Sequence, residues 1–280
     1  MRLRPSLTGI VPPLRTVFVS DLHLGSRNCH ADALAGFLES FACERIYLVG
    51  DIVDLWWLAK RRASWGRQHA RVFEALRAHA ADGAELVYIP GNHDRPMREF
   101  AGLALPGMTL RRRAIHTLAD GRRFLVTHGD EHDAGTELGA LSHWLGDKLY
   151  EAILAGNRLT RAARNRLGLR YWSLADFLKR RSGTAEKYIE RYVALATGAA
   201  RARGLDGVVC GHIHRPALTS VDGIVYANDG DWVESFTAIT EAHDGTLELL
   251  RWVDRAETVA TLPPRLVLRA QEPVSVRRAA

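Results

Sequence analysis

The sequence predicts an α/β protein in which two packed β-sheets carry helices on their outer faces. Short runs rich in Val, Ile, Leu, Phe and Tyr alternate with helical patterns in the first part of the chain, which favours buried and largely parallel strands. Closely spaced strand patterns with Asp-Gly turn signals follow near the C-terminus and favour antiparallel pairing. A polar cluster follows each of five strand patterns, which is typical of a ligand site at the carboxyl edge of an α/β sheet.

Composition and the residues that end each run define the elements. The buried strands are predicted at residues 16–20, 45–49, 85–90, 123–127 and 207–210. Helical patterns lie between the first of these at residues 31–41 and 68–81. The antiparallel strands are predicted at residues 217–221, 223–228, 234–241 and 246–253.

The domain organisation follows from where these patterns stop. A chain of 280 residues fits one large α/β domain with an insertion, or two small domains. Residues 14–133 and 204–255 are predicted to form the core. Residues 134–203 are helical in pattern without a clear strand, so we expect an inserted helical cap. Residues 256–280 lack a clear period and are predicted to form a loosely ordered tail.

Charge and cysteine content restrict the setting of the protein. The formal net charge of +6 favours anionic partners such as phosphates, nucleic acid or an acidic membrane face. Cys29, Cys43 and Cys210 are scattered and odd in number, which favours thiols in a reducing cytoplasm. No stretch approaches the roughly 20 apolar residues that span a bilayer, and the N-terminal segment has no signal-peptide pattern. We therefore expect a cytoplasmic protein.

The polar clusters are the strongest chemical signal in the chain. They are Asp21-Leu22-His23, Gly50-Asp51, Gly91-Asn92-His93-Asp94, His128-Gly129-Asp130 and Gly211-His212-Ile213-His214. They offer oxygen and imidazole nitrogen but no thiolate, which suits a pair of divalent ions better than a structural zinc. Two such ions that share a carboxylate are a common means of hydrolysing phosphate esters and anhydrides. The sequence therefore predicts a hydrolase acting on phosphate.

Each cluster also has a purely structural interpretation. Asn92 could cap the turn that follows it, because Asn favours such positions. His128 could be a hydrogen-bonded histidine at a strand end, and an Asp-x-His pair in a loop is often a surface feature. The joint occurrence of five clusters at five strand ends favours the metal site over these alternatives.

The order of the motifs resembles that of the calcineurin-like metallophosphoesterases. Between residues 17 and 231 the chain carries, in this order, Asp-x-His, Gly-Asp-x-x-Asp, Gly-Asn-His-Asp, His and Gly-His-x-His. The resemblance implies a four-layer αββα sandwich that holds two metal ions. It also implies a ligand set, in which one ion is held by Asp21, His23 and His214, the other by Asn92, His128 and His212, and both by Asp51. The ions would be Mn²⁺ in the first instance, with Mg²⁺, Fe and Zn²⁺ also compatible.

The same resemblance assigns the catalytic groups. His93 would stabilise developing charge or protonate the leaving oxygen. Asp94 would orient His93, and Asp54 would give similar support near the shared carboxylate.

Longer motifs narrow the expected substrate. Residues 20–25, 48–54 and 127–130, together with the long insertion, are similar to the UDP-2,3-diacylglucosamine diphosphatase group. That resemblance implies cleavage of a pyrophosphate in lipid A biosynthesis, giving UMP and 2,3-diacylglucosamine 1-phosphate. His93 stands where the best-known members of the group carry arginine. A relative acting on another nucleotide or lipid diphosphate therefore stays open.

The predicted cap combines apolar and basic residues, which suits acyl chains, a diphosphate, or a peripheral contact with an anionic membrane. Arg158, Arg161, Tyr171 and Trp172 are the candidate substrate contacts. Alternatively, the apolar stripe packs on the core and the arginines face solvent.

Three functions remain in competition: a pyrophosphatase for a lipid-linked nucleotide diphosphate, a phosphodiesterase, nuclease or nucleotide pyrophosphatase of the same fold, and a non-catalytic metal-dependent scaffold. Nucleic acid is not expected as a partner, because no aromatic stacking platform is evident. The sequence leaves the oligomeric state open.

Overall fold

A computed structural model describes residues 13–59, 65–105, 107–133, 183–252 and 256–265, and within these ranges the chain forms two mixed β-sheets. The larger sheet has eight strands in the order β13-β12-β11-β1-β2-β3-β5-β4. Its strands are β1 (Leu14–Val19), β2 (Cys43–Val49), β3 (Glu85–Ile89), β4 (Ala104–Leu105), β5 (Met108–Leu110), β11 (Thr237–Glu241), β12 (Leu247–Trp252) and β13 (Ala256–Leu262). β1, β2 and β3 run parallel, whereas β11 joins β1 antiparallel.

The smaller sheet has five strands in the order β6-β7-β8-β10-β9. They are β6 (Ala114–Thr117), β7 (Arg123–Val126), β8 (Gly207–Cys210), β9 (Ala217–Val221) and β10 (Ile224–Asn228). The three central strands run parallel, and both edge strands are antiparallel to their neighbours.

The described part of the chain has four α-helices, and the three longer ones cover the outer faces of the two sheets. They are α1 (Ala31–Leu38), α2 (Leu55–Ala59), α3 (Arg67–Ala81) and α4 (Gly183–Arg201), with short 3-10 turns at Arg95–Phe100 and Asp130–His132. Buried residues of α1 and α3 share a core with the larger sheet, while those of α4 share a core with the smaller sheet.

The two-residue period of the strands sorts side chains between these cores. In β1, Val17 faces the helices of the larger sheet, whereas its neighbour Phe18 faces the smaller sheet. In β7, Phe124 faces inward to the larger sheet, whereas Leu125 faces α4. The layers are therefore helices, larger sheet, smaller sheet and helix.

A buried polar network joins the two sheets at one point of their interface. The carboxylate of Glu241 on β11 accepts a hydrogen bond from His116 Nε2 on β6 at 2.8 Å and from the amide of Ala119 at 2.8 Å. Arg15 also contacts this carboxylate. Because the side chain of Glu241 is fully buried, its ionised form depends on these donors.

All nine predicted strands occur, with ends that differ by up to three residues. The strands β4, β5 and β6 were not predicted, because each has four residues or fewer and several of these residues are exposed. Both predicted helices also occur, as α1 and α3.

The described part of the predicted cap is α4. Its residues Tyr192, Ala196 and Ala200 are buried against the smaller sheet. Residues 134–182 lie outside the described ranges, and the cap prediction is not tested there.

The predicted tail needs one correction, since residues 256–262 form the edge strand β13 rather than loose chain. Thr258, Val259 and Thr261 are β-branched, which favours an extended backbone, and the strand pairs antiparallel with β12. Residues 266–280 lie outside the described ranges.

Candidate metal centre

The five polar clusters meet at one edge of the molecule because each follows a strand of the parallel parts of the two sheets. These strands are β1, β2 and β3 in the larger sheet and β7 and β8 in the smaller sheet. Backbone hydrogen bonds tie the loops together in pairs. The amide of Asp21 donates to the carbonyl of Gly50 at 3.0 Å, and the amide of Gly211 donates to that of His128 at 3.1 Å.

Backbone strain is concentrated in these loops. Seven described residues other than glycine have a positive φ, and five of them are predicted ligands: Asp21 (51°), His23 (46°), Asp51 (53°), His212 (70°) and His214 (51°). The left-handed region costs a residue with a side chain roughly 1–2 kcal/mol. Such strain persists where the surroundings enforce it, and it commonly marks functional sites.

Asp21, His23 and His214 form the first group of donors. One donor atom from each lies within 4.8 Å of the others. His214 Nε2 lies 3.1 Å from Asp21 Oδ1, and His23 Nε2 lies 3.8 Å from the same oxygen. The structure thus brings together the three residues that the family resemblance assigned to one ion.

His128 and Asn92 form the second group. The Nε2 of His128 lies 3.1 Å from Asn92 Oδ1. Its other nitrogen, Nδ1, is 2.9 Å from the carbonyl of Val49 and donates to it. This outer hydrogen bond leaves Nε2 unprotonated in the neutral ring, which is the form that binds metal.

Asp51 lies between the two groups. Its Oδ2 is 3.9 Å from His23 Nε2 and 3.5 Å from His128 Nε2. Its Oδ1 accepts a hydrogen bond from the amide of His93 at 2.8 Å, which fixes the carboxylate. A carboxylate in this position can contact an ion on either side.

The donor atoms themselves show that the residues fit metal ions. Asp21 Oδ1 and His23 Nε2 are buried and make no hydrogen bond in the described part of the chain, although they lie close to other polar atoms. Buried polar groups are normally hydrogen-bonded. Donors that converge without bonding to one another are arranged as ligands of a shared cation.

The electrostatics of the pocket also favour cations. Burial alone would lower the pKa of His23, but its hydrogen bond with Asp54 and the charges of Asp51 and Asp21 raise it to about 9. Burial would likewise raise the pKa of Asp51, but His128 and neighbouring histidines hold it well below its usual value. His23 would release its proton on binding a metal ion, and the acidic residues around it would favour the positive charge of that ion.

His93 lies at the mouth of the site with 23% of its side chain exposed. Its Nδ1 is 3.2 Å from Asp54 Oδ1, and its Nε2 is 3.9 Å from Asp51 Oδ2. The indole ring of Trp56 packs against its imidazole at a centroid distance of 4.2 Å. His93 therefore combines access to solvent with a fixed ring.

Asp94 has a different position from the one that the sequence suggested. Its buried carboxylate accepts hydrogen bonds from the amide of Ile52 at 2.9 Å, from those of Asp51 and Gly91, and from the hydroxyl of Tyr88. Among the described contacts, none joins this carboxylate to the ring of His93. Asp54 makes that contact instead, so Asp94 joins the loops after β2 and β3.

Sequence reasoning missed several groups around the ligands. Ser20 Oγ lies 2.6 Å from Asp21 Oδ2 and 2.5 Å from Asp229 Oδ1. Asp231 Oδ2 is 3.8 Å from His214 Nδ1. Asp229 and Asp231 directly follow β10, just as the five polar clusters follow their strands. This position at a strand end is the sequence signal that could have identified them.

Asp133 was also missed. Its Oδ2 is 3.2 Å from His212 Nε2. The residue lies five positions after His128, in a segment with three acidic residues, where sequence alone does not distinguish which one turns inward.

The four predicted substrate contacts, Arg158, Arg161, Tyr171 and Trp172, lie outside the described residues. In the described part of the chain, no helix is both long enough and apolar enough to cross a membrane.

Comparison with known proteins adds a family to this geometry. A model of the calcineurin-like phosphoesterases matches residues 14–216. The UDP-2,3-diacylglucosamine hydrolase of Haemophilus influenzae (strain PittGG) is 24% identical over 231 residues, which cover 79% of this chain and 92% of that protein. The protein of the same name from Yersinia pestis bv. Antiqua (strain Angola) is 26% identical over 215 residues, covering 75% and 85%.

Similar solved structures include the phosphoesterase Yfce from E. coli, with a TM-score of 0.45 and 17% identity, covering 89% of this chain and 98% of that one. A single mutant of Vps29 from Entamoeba histolytica has a TM-score of 0.43 and 12% identity, with coverage of 89% and 98%.

Proposed function

Because the chain belongs to the calcineurin-like phosphoesterase family, a family of metal-dependent hydrolases, we propose that it cleaves the pyrophosphate bond of a lipid-linked nucleotide diphosphate. The proposed substrate is UDP-2,3-diacylglucosamine, and the products are UMP and 2,3-diacylglucosamine 1-phosphate, as in lipid A biosynthesis. The observation that carries the hydrolytic part is the position of Asp51 Oδ2 between His23 and His128. The named relatives, which match over most of their length, support the substrate.

The proposed ligand set divides between two ions. Asp21, His23 and His214 would hold the first, Asn92, His128 and His212 would hold the second, and Asp51 would contact both. Two divalent ions, proposed as Mn²⁺, would supply a more acidic bound water and neutralise charge on phosphate oxygens. The same oxygen and nitrogen donors also suit Mg²⁺, Fe and Zn²⁺.

The proposed role of His93 is to donate a proton or hydrogen bond to an oxygen of the substrate. Asp54 engages its Nδ1, so Nε2 is the nitrogen left on the side of Asp51. Its partial exposure lets a substrate oxygen reach that nitrogen, which a general acid requires. The residue is therefore proposed as catalytic, with Asp54 as its positioning partner.

A lipid substrate implies a cytoplasmic enzyme that works at the inner face of an anionic membrane. Arg158, Arg161, Tyr171 and Trp172 are proposed to contact the substrate.

A described surface supports the membrane contact. Phe100, Leu103 and Leu105 are 46–53% exposed. The backbone of Leu103 is hydrogen-bonded to that of Leu110, which directly precedes three exposed arginines at 111–113. Near an anionic leaflet each arginine would contribute about 1 kcal/mol of attraction.

The substrate is tested by incubating the purified protein with Mn²⁺ and UDP-2,3-diacylglucosamine and measuring UMP. We expect UMP to be released from the acylated substrate faster than from UDP-N-acetylglucosamine, and release to stop in Asp51→Asn and His128→Ala. Preferential cleavage of a simple phosphodiester or of single-stranded DNA would reject the lipid substrate.

The alternative is a phosphodiesterase or nucleotide pyrophosphatase with the same metal centre. His93 favours it, because this position carries a histidine rather than the arginine expected in the best-known lipid A diphosphatases. The same panel of substrates distinguishes the two, since the alternative predicts that acyl chains do not increase the rate.

The membrane surface is tested separately with vesicles of phosphatidylcholine alone or with phosphatidylglycerol. Leu103→Ser should weaken sedimentation with the anionic vesicles. Val259→Ser is the matched control, because Val259 is 45% exposed on β13, at the opposite edge of the larger sheet. Equal binding of both variants to the anionic vesicles would contradict the proposal that this surface contacts the membrane.

A further inference from the structure

We propose that Asp133 is a positioning residue for the second metal ion, because its carboxylate holds Nε2 of His212 and leaves Nδ1 of that ring as the ligand. The inference rests on the metal centre of the proposed function. Asp133 lies outside all five polar clusters of the sequence.

The contacts of His212 fix both its backbone and its ring. Asp133 Oδ2 lies 3.2 Å from His212 Nε2. The amide of His212 donates to Asp21 Oδ2 at 2.8 Å, and its φ of 70° is in the left-handed region. With 14% of the side chain exposed, the ring is held in a partly buried position where water is a poor substitute for Asp133.

His128 shows the same arrangement with the nitrogens exchanged. There, a backbone carbonyl holds Nδ1 and leaves Nε2 on the side of Asn92. Metal-binding histidines generally donate their second N–H to a carboxylate or carbonyl, which fixes the tautomer and the orientation of the ring. The ring of His212 lies 5.2 Å from that of His128, so the two outer acceptors act on neighbouring ligands.

Tyr188 fixes Asp133 in turn. Its hydroxyl donates to Asp133 Oδ1 at 2.7 Å, so the two carboxylate oxygens have separate partners. Burial and this hydrogen bond raise the pKa of Tyr188, which keeps the hydroxyl a donor at neutral pH. The first turns of α4 are thereby connected to a metal ligand through two side chains.

The experiment measures Mn²⁺ binding rather than turnover. Metal-free protein is titrated with Mn²⁺, and free and bound metal are followed by electron paramagnetic resonance, which also distinguishes an exchange-coupled pair of ions from isolated ones. The variants are Asp133→Ala, Asp133→Asn and Tyr188→Phe. Glu190→Gln is the matched control, because Glu190 is an exposed acidic residue two positions after Tyr188 on α4.

We expect both Asp133 variants to bind the second Mn²⁺ about 10–100-fold more weakly and to lose the coupled signal, with the first ion unchanged. Tyr188→Phe should lose less than about tenfold, since it removes one neutral donor. The control should resemble the wild type. Thermal unfolding of the metal-free variants should stay close to that of the wild type, because Asp133 is 32% exposed.

Tight binding of two coupled ions by Asp133→Asn and Asp133→Ala would overturn the inference while leaving the proposed function intact. A large loss of metal-free stability in Asp133→Asn would also overturn it, since it would indicate a structural role. Failure of the wild type to bind two ions would remove the proposed metal centre, and this inference with it.

Discussion

Asp94 offers a sharp test of what holds the candidate metal centre together. If it acted on His93, as its place in the sequence suggests, its removal would slow turnover and leave stability unchanged. The structure instead places its buried carboxylate on three backbone amides and the hydroxyl of Tyr88. We therefore expect substitution of Asp94 to destabilise the fold and to separate the loops that carry Asp51 and Asn92.

The size of the effect follows from the number of donors that lose their acceptor. Hydrogen bonds to a charged group contribute about 1.5–3 kcal/mol each, and a buried donor without a partner costs about 1–3 kcal/mol. These values do not add, because neighbours relax, so Asp94→Ala should cost about 3–5 kcal/mol, as for removal of one member of a buried ion pair. Asp94→Asn leaves one amide opposite an NH₂ group and should cost about 1–3 kcal/mol. Tyr88→Phe removes one donor and should cost about 1–2 kcal/mol.

The assay is urea unfolding of the metal-free variants at neutral pH, followed by tryptophan fluorescence and circular dichroism. Mn²⁺ affinity is measured in parallel and should fall in Asp94→Ala. Glu99→Ala is the control, because Glu99 is exposed on the 3-10 turn after Asp94 and should change stability by less than about 0.5 kcal/mol. If Asp94→Ala unfolds with the same free energy as the wild type but turns over slowly, the reasoning is refuted. Asp94 would then act on catalysis through His93.

Two further predictions concern packing and pH. Burial acts to raise the pKa of Glu241, but its hydrogen bond with His116 and the charge of that ring lower it below its usual value. The lowered pKa stabilises the folded protein above the unfolded-state pKa of about 4.3, and this stabilisation is lost as pH falls through the lower folded-state pKa. Glu241→Gln should therefore reduce the loss of unfolding free energy at acid pH. An unchanged loss would contradict this. Gly50 has a φ of +89°, and an added Cβ would lie 2.2 Å from His128 Nδ1. Gly50→Ala should therefore lower the free energy of unfolding by more than about 3 kcal/mol. Gly83 is the control, because it has a φ of +99° and open space around it, so Gly83→Ala should lower that free energy only by the roughly 1–2 kcal/mol of backbone strain. Equal decreases in the two variants would show that the contact with His128 is unimportant.

Much of the fold could be predicted because its signals are local. The two-residue period in β1 and β7 places alternate side chains on opposite faces of the sheet, and the same period allows the strands to be predicted from the sequence. The short strands β4 and β5 are defined by pairing with neighbours rather than by their own composition, and were missed. The sequence of β13 predicts loose chain because most of its side chains are exposed and its apolar residues do not alternate regularly, so only its pairing with β12 defines the strand.

The convergence of the polar clusters could be predicted from sequence, because residues at the carboxyl ends of parallel strands meet at one edge of a sheet, and the resemblance to the family supplied the candidate ligand set. Their supporting groups were accessible only in part, since the resemblance suggests Asp54 as a supporting group but assigns the ring of His93 to Asp94. Asp54 rather than Asp94 faces His93, and Asp133 faces His212 across 79 positions of sequence. Which carboxylate reaches which ring depends on side-chain direction and on the left-handed backbone of the loops, and neither is encoded by spacing. The sequence by itself determined the chemical nature of the site, whereas the tertiary structure decided the partner of each ligand, because hydrogen bonds of this kind are made between loops that only the packed sheets bring together.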